Sequence, residues 1–163
     1  LPDGRFLIEP LVLARLLQLA APQPTDTGLV VGCDTGYAGV VLAKLVGTVF
    51  ITIDPAWLEE VEARVEALAA VNLFPVAATA PLAGHPERGR FDVILVIGRV
   101  PEVPEALTDQ LAEGGRLVAV VGDGRVGRGT LTTRVHGHVG QRSAFDAAIP
   151  PLRGLARPEV FEL

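Results

Sequence analysis

Residues 29–37 have the sequence Leu-Val-Val-Gly-Cys-Asp-Thr-Gly-Tyr, and this stretch gives the first indication of the fold class. The apolar run Leu29 to Val31 predicts a short buried strand. Gly32 and Gly36 predict a tight loop, after which a helix begins. In open α/β sheets a loop of this kind binds nucleotides, because glycine lets backbone amides approach a ligand at a helix N-terminus. The loop alone is a weak signal, so the rest of the chain has to support it.

Amphipathic helices are predicted on both sides of this loop. The first covers residues 10–20, where apolar residues recur on one face and Pro10 suits the first turn. The second follows the Asp54-Pro55 pair, a natural cap and first helical residue. Its buried stripe is expected at Leu58, Val61, Val65 and Leu68.

Further apolar runs predict strands at residues 49–53, 74–78, 91–97 and 116–121, with a short helix at 104–111. Strands rich in Val, Ile and Leu that alternate with helices predict a parallel sheet covered on both faces. Residues 130–135 and 143–148 are separated by a Gly-rich turn at 137–140, which predicts an antiparallel hairpin at the sheet edge. The fold class is therefore α/β, doubly wound and Rossmann-like, mostly parallel with a C-terminal antiparallel hairpin. The Pro-rich tail, residues 150–163, is expected to wrap the surface.

Composition restricts the class of protein. The chain has 163 residues and a formal net charge of −5, which argues against a protein that grips nucleic acid or an anionic membrane. No apolar stretch is long enough to span a bilayer, and a single cysteine excludes an internal disulfide framework. We expect one domain over residues 1–163 in the cytoplasm. The chain contains no Met, so we also expect translation to begin upstream of Leu1.

Four segments carry a family resemblance. They are Gly-Cys-Asp-Thr-Gly-Tyr (32–37), Phe-Asp-Val-Ile-Leu-Val (91–96), Pro-Glu-Val-Pro-Glu-Ala-Leu (101–107) and Gln-Leu-Ala-Glu-Gly-Gly-Arg-Leu-Val (110–118). In this order and spacing they resemble the protein-L-isoaspartate O-methyltransferases, a family of class I S-adenosylmethionine-dependent methyltransferases. The resemblance covers roughly residues 1–122. It implies a seven-stranded sheet with a terminal antiparallel strand, S-adenosylmethionine as cofactor, and methylation of the free carboxylate of isoaspartyl residues in a protein or peptide.

The resemblance also implies a cofactor site made of Gly32, Cys33, Asp34, Gly36, Thr52, Asp54 and Thr79. Asp34 stands where the family has the middle loop glycine. Its carboxylate either grips the ammonium or sulfonium of the cofactor, or caps the following helix. Val30 replaces the family's acid that holds the cofactor's amino group, so no charge remains at that position.

Two other acids of the family pattern are replaced by threonines. The ribose-binding acid corresponds to Thr52, and Asp54, two residues later, is either a substitute acceptor or a helix cap. The acid that meets the adenine amino group falls at Thr79. On the substrate side, residues 6–10 align with the family's Thr-Ile-Ser-Gln-Pro loop, where Ile8 replaces the serine.

These replacements leave two hypotheses open. The first is a divergent methyltransferase that holds the cofactor through Gly32, Gly36 and backbone amides, with Asp34 or Asp54 as a further contact. The second is a non-catalytic scaffold or binding protein that no longer binds the cofactor. A dinucleotide-dependent dehydrogenase is disfavoured, because the loop lacks the Gly-x-Gly-x-x-Gly spacing.

The remaining candidate residues favour structural roles. His136 and His138 are predicted to alternate on one strand, and without a third ligand they are interpreted as edge-strand residues. His85 is expected to face solvent. Cys33 has no histidine nearby in sequence, so we interpret it as a buried apolar residue rather than a nucleophile. Tyr37 is expected to pack at the start of its helix.

Overall fold

The computed structural model describes Leu1, residues 5–153 and Leu155. Seven strands form one sheet in the order β3-β2-β1-β4-β5-β6-β7. The helices are α1 (Pro10–Ala20), α2 (Tyr37–Ala43), α3 (Leu58–Ala67) and α4 (Glu105–Thr108), and the strands are β1 (Thr27–Val31), β2 (Thr48–Ile53), β3 (Leu73–Ala77), β4 (Phe91–Val100), β5 (Leu111–Val121), β6 (Gly127–Val135) and β7 (His138–Ala147). The first five strands in that order pair in parallel, and β6 and β7 are antiparallel to their neighbours. The predicted fold class is confirmed.

The sheet's parallel centre is apolar on both faces, as the continuous runs of Val, Ile and Leu require. Leu29 on β1 lies beside Ile94 on β4, and both are fully buried. Strand β1 lies between β2 and β4, so successive connections lead toward opposite edges of the sheet. This is a topological switch point, and open α/β sheets bind their ligands beyond the carboxyl ends of the strands at such a point.

One arginine fastens helix α1 to the sheet. The Arg116 guanidinium, from β5, donates to the carbonyl oxygens of Ala20 and Ala21 at the end of α1, at 3.0 Å each. It also forms a 2.6 Å ion pair with Asp26, whose side chain is only 10% exposed. These contacts satisfy carbonyl groups that the last helical turn leaves without an intrahelical partner. They therefore fix the helix that follows the segment 5–9.

Several predicted boundaries are wrong. The hairpin is confirmed, but its turn is His136-Gly137, both with positive φ (50° and 75°), so His136 is not on a strand. Strand β5 begins at Leu111 rather than residue 116, because Leu111 is fully buried and pairs with Phe91 on β4. Helix α4 accordingly ends at Thr108.

Helix α3 and the tail also differ from expectation. A 3₁₀ turn, Pro55–Trp57, precedes α3. Leu68 is 51% exposed rather than part of the buried stripe, because it lies just beyond the last residue of the helix. Leu152 does not lie on the surface: it is 1% exposed, and Pro151 before it forms a parallel bridge with Arg99. The rest of the predicted tail, apart from Arg153 and Leu155, lies outside the described residues.

Candidate active site

A cleft lies at the carboxyl ends of β1, β2 and β3. It is a cavity of about 220 Å³ that opens to solvent. Four of the residues predicted from the sequence lie in its lining, together with two residues from the segment after β7. The lining includes Gly32, Asp34, Asp54, Thr79, Leu152 and Arg153. The cleft therefore brings together the ends of three adjacent strands and the C-terminal segment.

The first residue of the loop has to be glycine for two reasons. Gly32 has φ +79°, a left-handed conformation that side chains rarely adopt. A Cβ at this position would also lie 2.1 Å from Cδ1 of Leu152 and 2.6 Å from the carbonyl oxygen of Ile97. The loop is thus packed directly against the C-terminal segment and the end of β4.

Asp34 links two loops instead of capping a helix. The N-cap of α2 is Gly36, and the first two helical N–H groups, those of Tyr37 and Ala38, bond the side chains of Thr35 and Cys33, so the helix-cap interpretation of Asp34 is wrong. Its Oδ1 accepts the Asp54 backbone N–H at 3.2 Å, which ties the loop after β1 to the loop after β2. Its Oδ2 lies 3.7 Å from Nη1 of Arg153. The carboxylate is consequently held at the cleft with a cation beside it.

Asp54 and Thr52 occupy different environments, although they are two residues apart. Asp54 caps the 3₁₀ turn, as its Oδ1 accepts the Ala56 backbone N–H at 2.9 Å. Within the described part of the chain its Oδ2 makes no hydrogen bond, and that oxygen belongs to a residue lining the cleft. Thr52 is 1% exposed and donates its hydroxyl to the carbonyl oxygen of Val30 at 3.4 Å. Of these two side chains, only that of Asp54 is placed to meet a ligand.

Four other positions that the sequence singled out are buried away from the cleft. Cys33 is buried, as interpreted, and its Sγ accepts the Ala38 backbone N–H at 3.4 Å. Gly36 is buried against Val61. Val30 and Ile8, which replace polar residues of the family pattern, lie in the hydrophobic core. Their apolar side chains therefore stabilise the sheet and the helix layer.

Leu152 and Arg153 were missed by the sequence analysis, which expected this segment on the surface. Two backbone hydrogen bonds of 2.8 Å hold the segment beside β4. The Arg99 N–H donates to the carbonyl oxygen of Pro150, and the Leu152 N–H donates to the carbonyl oxygen of Arg99. Leu152 then fills the space left by Gly32 and by Gly98, where a Cβ would lie 2.7 Å from Cα of Leu152. A single leucine between prolines and an arginine is a weak sequence signal for such a contact.

A second, smaller hollow adjoins the cleft on the side of the N-terminal segment. Gly32, Asp34 and Arg153 line both hollows, and Arg5 and Phe6 complete the second. Arg5 is well anchored, because its guanidinium bonds Glu60 at 3.2 Å and stacks 3.9 Å from the ring of Trp57. The hydrogen bond from Arg5 lowers the pKa of Glu60 below its ordinary value. Arg5 directly precedes residues 6–10, which align with the family's substrate loop, so the start of this segment is held beside the cleft.

The histidines offer no catalytic group here. The His85 ring is half-buried and lies 5.7 Å from the ring of Phe50, so the expectation that it faces solvent is wrong.

Among the described residues, no group of three His, Cys, Asp or Glu side chains could hold a metal ion. None of the helices described is long and apolar enough to cross a membrane.

The family model described as "Protein-L-isoaspartate(D-aspartate) O-methyltransferase (PCMT)" matches residues 4–146. The chain belongs to this family. Protein-L-isoaspartate O-methyltransferase of Koribacter versatilis is 35% identical over 161 residues, which cover 94% of this chain and 69% of that protein. The enzyme of the same name from Aeromonas hydrophila is 39% identical over 122 residues, 74% of this chain and 58% of that protein. The chain thus spans little more than half the length of some of the family members it matches.

Solved structures of the family share the fold. A protein-L-isoaspartate O-methyltransferase superposes with a TM-score of 0.78 and 25% identity, covering 87% of this chain and 46% of that one. A putative family member from Plasmodium falciparum, in complex with S-adenosyl-L-homocysteine, superposes with a TM-score of 0.77 and 21% identity, covering 92% and 77%. The second likeness supports the fold alone.

Proposed function

We propose that this chain binds S-adenosylmethionine in the cleft at the ends of β1, β2 and β3 and transfers its methyl group to a free carboxylate of a protein or peptide. The observation that carries the proposal is the convergence of Gly32, Asp34, Asp54 and Thr79 on one cleft. These residues follow three adjacent strands, at the edge where open α/β sheets bind their ligands. Membership of the methyltransferase family supports the same assignment, and isoaspartyl carboxylates are the acceptors that the family name indicates.

The lining residues fit a nucleoside ligand. We expect Oδ2 of Asp54, a residue that lines the cleft, to accept hydrogen bonds from ribose hydroxyls, and an ionised acceptor makes such bonds strong. Thr79, on the loop after β3, offers a hydroxyl beside the base. The cavity of about 220 Å³ is smaller than the roughly 300–1,000 Å³ of typical ligand pockets. A complete cofactor therefore extends out of the enclosed part of the cleft, because the adjoining hollow beside Arg5 and Phe6 adds only about 10 Å³.

Methyl transfer places few chemical demands on the protein. The cofactor's sulfonium supplies an activated methyl group: a carboxylate oxygen bonds to the methyl carbon as the sulfur–carbon bond breaks, giving a methyl ester and a neutral thioether. No proton is transferred in this step. The chain's residues need only hold the two reactants in line, and orientation of this kind accounts for much of the rate in such reactions. A site without an acid–base pair is therefore compatible with the proposed reaction.

The test combines binding and turnover on the purified chain. Isothermal titration with S-adenosylhomocysteine is expected to show saturable 1:1 binding, and a radiolabelled methyl group is expected to pass from S-adenosylmethionine to an isoaspartyl peptide but not to its aspartyl counterpart. Asp54→Asn keeps the helix cap and removes the charge, so we expect weaker binding without loss of the fold. Asp109→Asn, at an exposed position before β5, is the matched control.

The results separate the two hypotheses. Binding that weakens in Asp54→Asn and not in Asp109→Asn would support the cleft as the cofactor site. If neither cofactor form binds at millimolar concentration, the proposed function is wrong, and the non-catalytic scaffold becomes the better hypothesis. If the cofactor binds but no methyl group is transferred to the isoaspartyl peptide, the proposed cofactor is supported and the proposed acceptor is wrong.

A further inference from the structure

An ion pair stands between the two hollows of the site. Nη1 of Arg153 lies 3.7 Å from Oδ2 of Asp34, and both residues line the larger cavity and the smaller one. The larger cavity continues toward Asp54 and Thr79, and the smaller one toward Arg5 and Phe6. The smaller cavity holds only about 10 Å³, so a ligand that fills the larger one ends at this pair.

Both charges are held in place by contacts that leave their polar atoms accessible. The Asp34 carboxylate is fixed through Oδ1 by the backbone N–H of Asp54. Arg153 follows Leu152, which is buried and hydrogen-bonded to β4 through Arg99. The Arg153 side chain is 50% exposed. The backbone that carries each charge is therefore anchored, although the arginine side chain reaches into solvent.

The separation of the pair matters for its chemistry. A distance of 3.7 Å is too long for a hydrogen bond, so the two groups attract each other without sharing a proton. Partly exposed pairs of this kind contribute little to stability, about 0–1 kcal/mol. Among the described residues, no hydrogen bond involves the Arg153 guanidinium or Oδ2 of Asp34. Each group can therefore bond a third partner at small cost to the fold.

An α-amino acid end is the chemical group that complements both charges. Its ammonium suits Asp34, and its carboxylate suits the planar fork of a guanidinium, which binds carboxylates through two parallel hydrogen bonds. A lone anion would be repelled by Asp34, and a lone cation by Arg153. The pair thus favours a zwitterion over either charge by itself.

We propose that Asp34 and Arg153 together hold the amino-acid end of the bound cofactor, with Asp34 on its ammonium and Arg153 on its carboxylate. This inference rests on the proposed function, because it concerns the same ligand. It assigns a binding role to Arg153, a residue of the segment after β7. It also supplies a charged partner for the ammonium in a chain where Val30 occupies the position of the family's acid.

Two ligands that differ only in this end provide the test. S-Adenosylhomocysteine carries the amino-acid group, and 5′-methylthioadenosine has the same adenosine and thioether without it. Isothermal titration is run on the wild type, Arg153→Gln, Arg153→Lys and Asp34→Asn. We expect Arg153→Gln and Asp34→Asn each to weaken the affinity for S-adenosylhomocysteine roughly tenfold or more, which is the effect of losing a charged hydrogen bond. Their affinity for 5′-methylthioadenosine should change less than about twofold, and Arg153→Lys should fall between wild type and Arg153→Gln, since it keeps the charge and loses the fork.

Arg128→Gln is the matched control, because Arg128 lies on β6 and its side chain is 65% exposed in a similar 3.7 Å ion pair. It should leave both affinities unchanged. Equal effects of Arg153→Gln on the two ligands, or none on either, would overturn the inference and leave the proposed function standing. Wild-type protein that binds 5′-methylthioadenosine but not S-adenosylhomocysteine would likewise overturn it. Failure of both ligands to bind would reject the proposed function and this inference with it.

Discussion

Replacing Leu152 tests whether the segment after β7 is an integral part of the site. The side chain is 1% exposed and packs against Gly32 and Gly98 at the ends of β1 and β4. Leu152→Ala removes three buried carbon groups, at about 0.8 kcal/mol each, and leaves a cavity that adds to the loss. We expect the free energy of unfolding to fall by about 3 kcal/mol. For a chain of this size that corresponds to about 6–12 °C in Tm.

Urea unfolding followed by far-UV circular dichroism measures the change, and an unchanged m-value would show that the same surface unfolds. Leu155→Ala is the matched control, because Leu155 lies three residues later and is 39% exposed. It should cost less than about 1 kcal/mol. If the two variants lose equal stability, Leu152 is not packed as described, and the role of this segment in shaping the cleft is refuted.

Three further predictions concern the framework of the site. Gly32→Ala should lower the free energy of unfolding by about 3 kcal/mol or more, because it adds a clash with Leu152 to the backbone strain. Gly114 has φ +76° but open space around its Cβ, so Gly114→Ala should lower it by only about 1–2 kcal/mol in the same urea assay. Arg116→Met should lower the free energy of unfolding by about 2–3 kcal/mol, since it removes the ion-pair partner of Asp26 and the donor to two carbonyls at the end of α1. Equal unfolding midpoints for this variant and for Arg128→Met, at an exposed position, would contradict that role. Glu60→Gln should make stability fall less steeply at acid pH. The pKa of Glu60 is lowered, first by the hydrogen bond from Arg5, so the stability that its carboxylate contributes is present above the ordinary pKa of 4.5. That contribution is lost as the pH falls through the lowered pKa. Urea midpoints between pH 2 and 6 measure it, and an acid limb identical to that of wild type would count against the Arg5 contact.

The fold and part of the site were predictable because they depend on local patterns. Buried runs such as 29–31 and 91–97 set the parallel strands, and Gly32 and Gly36 predicted a loop at the end of the first. Asp54 before Pro55 predicted the cap that the structure confirms. In each case the residues that decide the structure lie within a few positions of one another.

The alternating α/β pattern, the antiparallel hairpin and the family to which the chain belongs could all be recognised from the order of apolar runs, turns and motifs along the chain. Only the tertiary structure decided that Thr52 turns its hydroxyl to Val30 while Asp54 reaches the cleft, since that choice depends on how β1 and β2 pair. It also decided that Arg153 meets Asp34, because Leu152 fills a space that exists only when β1 and β4 lie side by side. Contacts of this kind join distant parts of the chain through packing, and no periodicity or local propensity records them.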